Sequence, residues 1–320
     1  MSSEYEARQP NFHIYPIILR KSAVGAACFS TFRFKNDSIA QIRQNDMRQK
    51  ARLLLSCACS NISFVTSMNF YQIEAGTGQH IGDRKEQQDR VALLAAPKAP
   101  GYMLAVLADG MGGVQGGAMA AEQIIRTAKQ NFDEFSPLTH DVETLLKTIV
   151  AESHTIIRLI GMSEESDPHT TVVALVLTPD RKAIWAHAGD SRLYRFRGPN
   201  FAEHTIDHSL VETMVAKGEL TREQAKNHRM ANLLVNGLGS KKEPYVTIGQ
   251  YQNLQPGDSF LLCSDGLWHY FSEAELGAAI AMNTPRQASE MLIGKARERA
   301  HGKGDNCSLA VIKLVARSTA

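Results

Sequence analysis

The sequence predicts an α+β fold, a sandwich of β-sheets with helices packed outside them. Three observations carry that expectation. Strand patterns come first, two long helical patterns follow, and more strands come after, unlike the strict alternation of βαβ units. Tyr102 to Ala108 is continuously apolar, as expected of a strand buried on both faces. The composition, 43% hydrophobic and 21% charged over 320 residues, is that of a globular chain. No internal repeat or low-complexity linker divides the part from Met68 onward, so residues 68–320 read as one domain.

Each element has its own justification. Asn69 to Glu74 reads as a first strand and Gly76 to Arg84 as a glycine-bearing turn. Gln88-Asp89 leads into a second strand, Arg90 to Ala96, and Pro97 to Gly101 connects it as a hairpin to Tyr102–Ala108. Gly116 to Phe132 follows as a helix whose apolar stripe is Ala120, Ile124, Ile125 and Ala128. His140 to Ile160 is a second helix, with Val142, Leu145, Leu146, Ile149, Ile156 and Leu159 on its buried face. His154 is expected at its solvated or core edge, and Gly161 to Pro168 as a loop. Thr170–Leu177, Ala183–Ala188 and Arg192–Phe196 are successive strands. A charged helical insertion, His208–Lys217 with Thr221–His228, separates them from strands at Val246–Tyr251 and Ser259–Cys263. Phe271–Met282 and Thr284–Ala300 are the last helices, the second capped by Thr284 with Pro285 at its first position. Cys307–Leu314 closes the chain as a strand.

Charge and cysteines exclude several classes. A net charge of +2 gives no global reason for nucleic-acid or membrane binding, and no apolar run reaches the length of a transmembrane helix. The patch Ile14–Leu19 is broken by Pro16, so no secretory signal is expected. Five cysteines suggest no disulfide framework, and Cys57-x-Cys59 lacks the second pair of a zinc site. A cytoplasmic setting is expected. Residues 1–67 stand apart: they carry +5 against −3 for the remainder, and three of the five cysteines. They are expected to be a disordered leader or an artefact of the assigned start, with a regulatory or docking tail as the other reading.

The chemistry centres on Gly101 to Glu122, GYMLAVLADGMGGVQGGAMAAE, where an apolar strand ends on Asp109 amid glycines. Asp265 in FLLCSDGLW and Asp305 in GKGDNCSLAVI have matching settings, and Asp89 and Asp190 complete the candidate set. Oxygen donors without histidine favour Mg²⁺ or Mn²⁺. Converging carboxylates repel one another unless cations stand between them. A two-metal centre resolves this, lowers the pKa of a bridging water and holds a phosphoryl oxygen for in-line attack. The glycines after Asp109 let a backbone carbonyl turn inward as a further ligand. Arg84, five residues before Asp89, has the planar fork that grips phosphate. Plainer readings stay open: Asp-Gly is also turn chemistry, Asp190 fits a hairpin, Asp89 a strand-start cap, and Arg84 a surface ion pair. GxGxxG, GK[ST] and GxSxG are absent, which removes support for a nucleotide loop or a serine nucleophile.

Arg84-KEQQ-Asp89, LAVLADGMGG, HTTVV (169–173), AHAGDSRLYRFR, LLCSDGLW and GDNCSLAVIKL occur in an order that carries more weight than any one of them. Through these motifs the chain, from about Tyr71 to Val315, resembles the metal-dependent PP2C-like (PPM) serine/threonine protein phosphatases of bacterial type. The resemblance implies an αββα sandwich, two stacked antiparallel sheets with two helices on each outer face. It implies hydrolysis of phosphoserine and phosphothreonine on proteins by direct attack of a metal-bridging water, without a phosphoenzyme. Asp109 would bridge two Mn²⁺ or Mg²⁺ ions, and the Gly110 carbonyl would bind the second. Asp265 and Asp305 would hold the first, Asp89 would act through water, and Asp190 with Asp265 would hold a third, weaker ion. Arg84 would bind the substrate phosphate, and residues 208–240 would form a flap beside the site. Phosphorylated Ser/Thr proteins are the implied substrates, and a separately encoded Ser/Thr kinase the implied counterpart.

The chain departs from the family pattern at four places. His169 stands where glycine is usual, Gln88 where many members have Glu, and the flap ending HRMANLLVNGLGS matches loosely. Met111 replaces a histidine that eukaryotic members carry as a proposed leaving-group acid. Two alternatives share the fold: a non-catalytic phosphoprotein-binding module, and a phosphatase of small phosphoesters.

Overall fold

A computed structural model describes residues 62–64, 71–164, 166–226 and 228–317. Its strands are β1 (Ile62–Phe64), β2 (Gln72–His80), β3 (Arg90–Ala95), β4 (Met103–Ala108), β5 (Gly110–Met111), β6 (His169–Thr170), β7 (Val172–Leu177), β8 (Lys182–Ala188), β9 (Arg192–Arg197), β10 (Asn200–His204), β11 (Thr247–Gln252), β12 (Asp258–Cys263) and β13 (Cys307–Val315). Its helices are α1 (Gly113–Glu134), α2 (Val142–Ser163), α3 (Leu210–Ala216), α4 (Arg222–Lys226), α5 (Asp265–Trp268), α6 (Glu273–Met282) and α7 (Pro285–Ala300).

Two antiparallel sheets stack, in the orders β1-β2-β13-β12-β9-β10 and β11-β8-β7-β4-β3, and β5-β6 forms a small separate ribbon. Alternation along β4 accounts for the layers. Met103, Ala105 and Leu107 join Phe260, Leu262, Ala310 and Ile312 between the sheets. Leu104, Val106 and Ala108 face the other way, under Ala120, Ile124, Leu146 and Ile149 of α1 and α2. On the far sheet, Leu261, Cys263, Leu309 and Val311 meet Leu276, Ile280, Ala288 and Leu292 of α6 and α7. β4, β7 and β12 are buried throughout; β4 and β7 are accordingly unbroken apolar runs, while β12 opens on Asp258 and Ser259 before its apolar stretch Phe260–Cys263. The expected helix–sheet–sheet–helix layering is present. So is the expected cap of α7: Thr284 accepts from Gln287 N, the Gln287 side chain returns to Thr284 N, and Pro285 opens the helix.

Several local expectations are corrected. β2 does not turn at Gly76 but runs on to His80. The glycines serve packing instead: a Cβ on Gly76 would lie 3.1 Å from Arg286 N, and one on Gly78 would lie 2.6 Å from Ile293 Cδ1, both in α7. The turn comes at Gly82, where φ is +66°. α1 starts inside the glycine cluster, at Gly113, and the β5–β6 ribbon has no apolar alternation to announce it. α2 buries Ile157 and leaves Leu159 60% exposed, a small rotation of the expected face. His154 is buried, not solvated, and its Nδ1 accepts from Gly239 N at 3.1 Å. β10 is mostly exposed and carries no strand signal. Within the expected leader only β1 is described, and it pairs with β2 through Ile62↔Ala75; the rest of residues 1–67 lies outside the described residues.

Candidate active site

Strand pairing gathers the carboxylates at one end of the sandwich. Arg90 pairs with Ala108, so Asp89 and Asp109 flank the same end of a hairpin. Cys263 pairs with Arg192 on one side and Leu309 on the other. Asp190, Asp265 and Asp305 therefore leave their strands side by side. The five sequence-predicted aspartates come from distant parts of the chain and meet because antiparallel neighbours end together.

Their electrostatics show the crowding. Burial, and then the charges of Asp265 and Asp305, push Asp89 up to about 7, although bonds from Ser264 and Ser308 work the other way. Burial and the charges of Asp89, Asp265, Asp190 and Asp305 hold Asp109 well above the usual carboxylate range. Asp190 is pushed up to about 8, by burial first and then by Asp265 and Asp207. Asp265 is raised by burial and Asp305, partly offset by His269 and by a hydrogen bond from the Asp109 carboxyl. Mutual repulsion of this kind is relieved by protons or by cations.

A set of hydrogen bonds holds the ring of carboxylates. Ser264 Oγ donates to Asp89 Oδ2 at 2.8 Å, and Ser308 N donates to Ser264 Oγ at 3.0 Å. Asp89 Oδ1 is buried and unpartnered. Asp109 N donates to Thr171 Oγ1 at 3.0 Å, while Thr171 N and Thr170 Oγ1 both donate to Asp109 O at 2.9 Å. Asn306 clamps the loop before β3: its Oδ1 accepts from Gln88 N at 2.7 Å, and its Nδ2 donates to Ile81 O and Glu86 O at 2.8 and 2.9 Å. Trp268 Nε1 donates to Asp190 O at 3.0 Å. Gly110 admits no side chain, since a Cβ there would lie 2.1 Å from Gly117 O.

Sequence reading did not single out Ser264, Thr171, Asn306 or Trp268. The signal was available, because each sits inside one of the motifs already singled out: Ser264 and Trp268 beside Asp265, Asn306 beside Asp305, and Thr171 in HTTVV. Arg84 reaches the ring and forms an ion pair with Asp305, whose Oδ1 accepts from Asn306 N at 2.7 Å. Met111 and His169 face each other across the β5–β6 ribbon, and His169 Nε2 lies 3.1 Å from Asp167 Oδ2. The insertion of residues 208–240 is tied to the site at both ends. His208 N donates to Gly189 O at 2.9 Å, and Leu238 exchanges bonds of 2.9 and 3.1 Å with Thr170.

Among the described residues, no three His, Cys, Asp or Glu side chains already close on one point as an ion would require. Asp305 is turned onto Arg84 and Asn306, and Asp89 onto Ser264. The donor set still fits hard divalent cations, because it is all oxygen, mutually repelling and holds an orphaned buried oxygen at Asp89.

Comparisons with known proteins agree with this geometry. A sequence profile described as protein phosphatase 2C matches residues 76–292. The serine/threonine phosphatase stp of Listeria innocua is 31% identical over 217 residues, which covers 66% of this chain and 84% of that protein. The protein phosphatase PhpP of Streptococcus pneumoniae is 30% identical over 216 residues, covering 67% of this chain and 87% of that protein. Among solved structures, the Streptococcus agalactiae serine/threonine phosphatase superposes with a TM-score of 0.69 at 28% identity, over 75% of this chain and 99% of that one. The catalytic domain of the phosphatase PstP, solved in complex with 2 manganese ions, gives 0.64 at 27% identity, over 76% of this chain and 98% of that one.

Proposed function

The chain belongs to the protein phosphatase 2C family, and from that premise we propose how its own residues hydrolyse phosphoserine and phosphothreonine on proteins. The observation that carries the proposal is the ring of aspartates whose charges raise one another's pKa, with Asp89 Oδ1 left unpartnered. Asp109, the Gly110 carbonyl, Asp265 and Asp305 are the residues that would hold two Mn²⁺ or Mg²⁺ ions, and Asp190 with Asp265 would hold a weaker third. Such ions, when bound, supply an activated water and charge stabilisation for in-line attack on phosphorus.

Every other part is protein. Thr170 and Thr171 fix the Asp109 backbone, so its carboxylate is aimed before substrate arrives. Preorganisation of this kind spares reorganisation during the reaction. Asp89, pinned by Ser264, orients water at the back of the ring. Arg84 exchanges its partner Asp305 for the substrate phosphate, which its fork fits in two parallel bonds. Met111 has no ionisable proton and cannot protonate the departing alkoxide. The flap anchored at Gly189 and Thr170 bounds the cleft on the substrate side.

The catalytic unit is residues 68–320, in a cytoplasmic setting, opposing a separately encoded Ser/Thr kinase. No helix among the described residues is long and apolar enough to cross a membrane.

The test is phosphate release from a phosphothreonine peptide with and without Mn²⁺, using the full chain and a chain begun at Met68. Turnover that needs the ion, and is retained by the shorter chain, is the expected result. Ion binding with no turnover of any phosphoester would replace the reading with a binding module. Turnover of p-nitrophenyl phosphate alone would replace it with a small-phosphoester phosphatase.

A further inference from the structure

Three exposed cations stand on the segments that flank the carboxylates. The loop after β2 is stitched to the loop after α7. Asp83 N donates to Gly304 O at 2.9 Å, Gly304 N donates to Asp83 Oδ2 at 2.6 Å, and Arg84 pairs with Asp305. Lys85 follows Arg84 directly, and Lys303 stands two residues before Asp305, so both ride on loops that are held together beside the carboxylates. Arg297, near the end of α7, lies close enough to His80 at the end of β2 to disfavour its protonation. Lys85, Arg297 and Lys303 are all exposed.

These three cations are free where their neighbours are not. Arg84 is committed to Asp305, and Arg299 to Glu275 and to Tyr270 O. Among the described residues, no ion pair or side-chain hydrogen bond engages Lys85, Arg297 or Lys303. Three acidic groups stand nearby: Asp83 spends its Oδ2 on Gly304 N, Glu86 lines a separate cleft with Arg90 and Arg126, and Glu298 is exposed beside Arg299. The cluster is not a reflection of overall charge, because residues 68–320 carry −3. Unpaired like charges held near one another repel, and an anionic partner relieves that repulsion.

Resting on the phosphatase reading above, we propose that Lys85, Arg297 and Lys303 bind acidic side chains flanking the phosphorylated serine or threonine, so that the enzyme favours acidic phosphoprotein segments. The reach is consistent. An extended peptide advances about 3.3 Å per residue, so positions two to four away from the phosphoresidue lie roughly 7–13 Å from the phosphate. A lysine one residue from the phosphate-binding arginine covers that span.

The experiment compares three phosphothreonine peptides of equal length, with aspartate, serine or lysine flanks, in the wild type and in the Lys85→Ala/Arg297→Ala/Lys303→Ala variant. A Lys85→Glu/Lys303→Glu variant is the second probe, and p-nitrophenyl phosphate is the substrate without flanks. The wild type is expected to prefer the acidic over the neutral peptide by about tenfold in kcat/KM, expressed through KM, since rim charges act mainly on encounter. Raising the salt shrinks the preference, because exposed charges are screened within about 8–10 Å. The alanine variant equalises the peptides, the glutamate variant reverses their order, and both keep wild-type turnover of p-nitrophenyl phosphate. Equal wild-type turnover of all three peptides overturns the proposal and leaves the phosphatase reading standing, as does a preference that survives in both variants. Failure of the wild type to hydrolyse any peptide removes both.

Discussion

The two ends of β12 each hold aspartates, and they are opposites. At its start Asp258 is fully buried, yet its charge is answered: Arg197 Nε meets Oδ1 at 2.5 Å and Gln255 N meets Oδ2 at 2.8 Å. Past its far end, Asp265 joins Asp89, Asp109 and Asp190, whose charges raise one another's pKa. Of the arginines near that end, Arg84 pairs with Asp305 at the partly exposed edge of the ring and Arg192 pairs with Asp207 outside it. Burial of a carboxylate is therefore not what marks the site. What marks it, among the described residues, is buried charge on Asp89 and Asp109 without an arginine or lysine partner, with only the partly exposed Asp305 paired to Arg84, since a structural carboxylate acquires a partner.

The largest expected effect breaks that comparison directly. Asp109→Asn removes one of the repelling charges and the proposed bridging ligand. Turnover of a phosphothreonine peptide should fall on the order of a thousandfold or more, the scale of losing one preorganised electrostatic group. Its metal-free melting temperature should hold or rise. Asp258→Asn should behave in the reverse way, losing about 1–3 kcal/mol of stability as Arg197 loses its charged partner, with kcat of the folded enzyme unchanged. Steady-state kinetics and thermal melts on both variants decide it. A loss of kcat in Asp258→Asn equal to that in Asp109→Asn would end the distinction between the two ends.

Asp109, Asp265 and Asp305 were legible because each lies at the end of an apolar run, a signal contained in one stretch of chain. Their supports were not. Thr171 bonds Asp109 across 62 positions, Ser264 bonds Asp89 across 175, and Asn306 bonds Gln88 across 218. No local pattern encodes such bonds; they follow from the sheet order. The β2 glycines misled for a related reason. Glycine marks a turn by its backbone freedom and a close helix contact by its missing Cβ, and only α7 lying over Gly78 separates the two. The shift from Leu159 to Ile157 on α2 is a phase error of a kind that periodicity over one helix tolerates.

The next effect sharpens the contrast through pH. Asp89 and Asp190 are raised to about 7 and about 8, and Asp109 is raised as well. The folded state thus holds protons more tightly than the unfolded chain, whose carboxylates titrate near 4. The resulting stability is present below about pH 4 and lost as pH rises through 7 and 8. In chelator-treated protein the melting temperature should fall between pH 6 and 8.5. The fall should persist in Asp258→Asn, be smaller in Asp109→Asn, and shrink when Mg²⁺ is added. A slope identical in all three proteins, with and without Mg²⁺, would place the titrating charge elsewhere.

The smallest effect concerns one member of the ring. Asp190 is held through its backbone: Trp268 Nε1 donates to Asp190 O, and Arg192 lies 3.5 Å from the centre of the Trp268 ring. Trp268→Phe deletes the N–H and keeps an aromatic face, so it loosens the Asp190 turn without touching Asp109, Asp265 or Asp305. One lost hydrogen bond is about 1 kcal/mol. The expected result is a small drop in melting temperature and a severalfold rise in the Mn²⁺ concentration for half-maximal activity, with kcat at saturating ion close to wild type. The ion titration carries the decision. If saturating Mn²⁺ fails to restore kcat, Asp190 belongs with Asp109 among the indispensable carboxylates. Full restoration at raised Mn²⁺ instead ranks Asp190 as the weaker end of the ring, since its geometry depends on one side chain from the neighbouring helix α5.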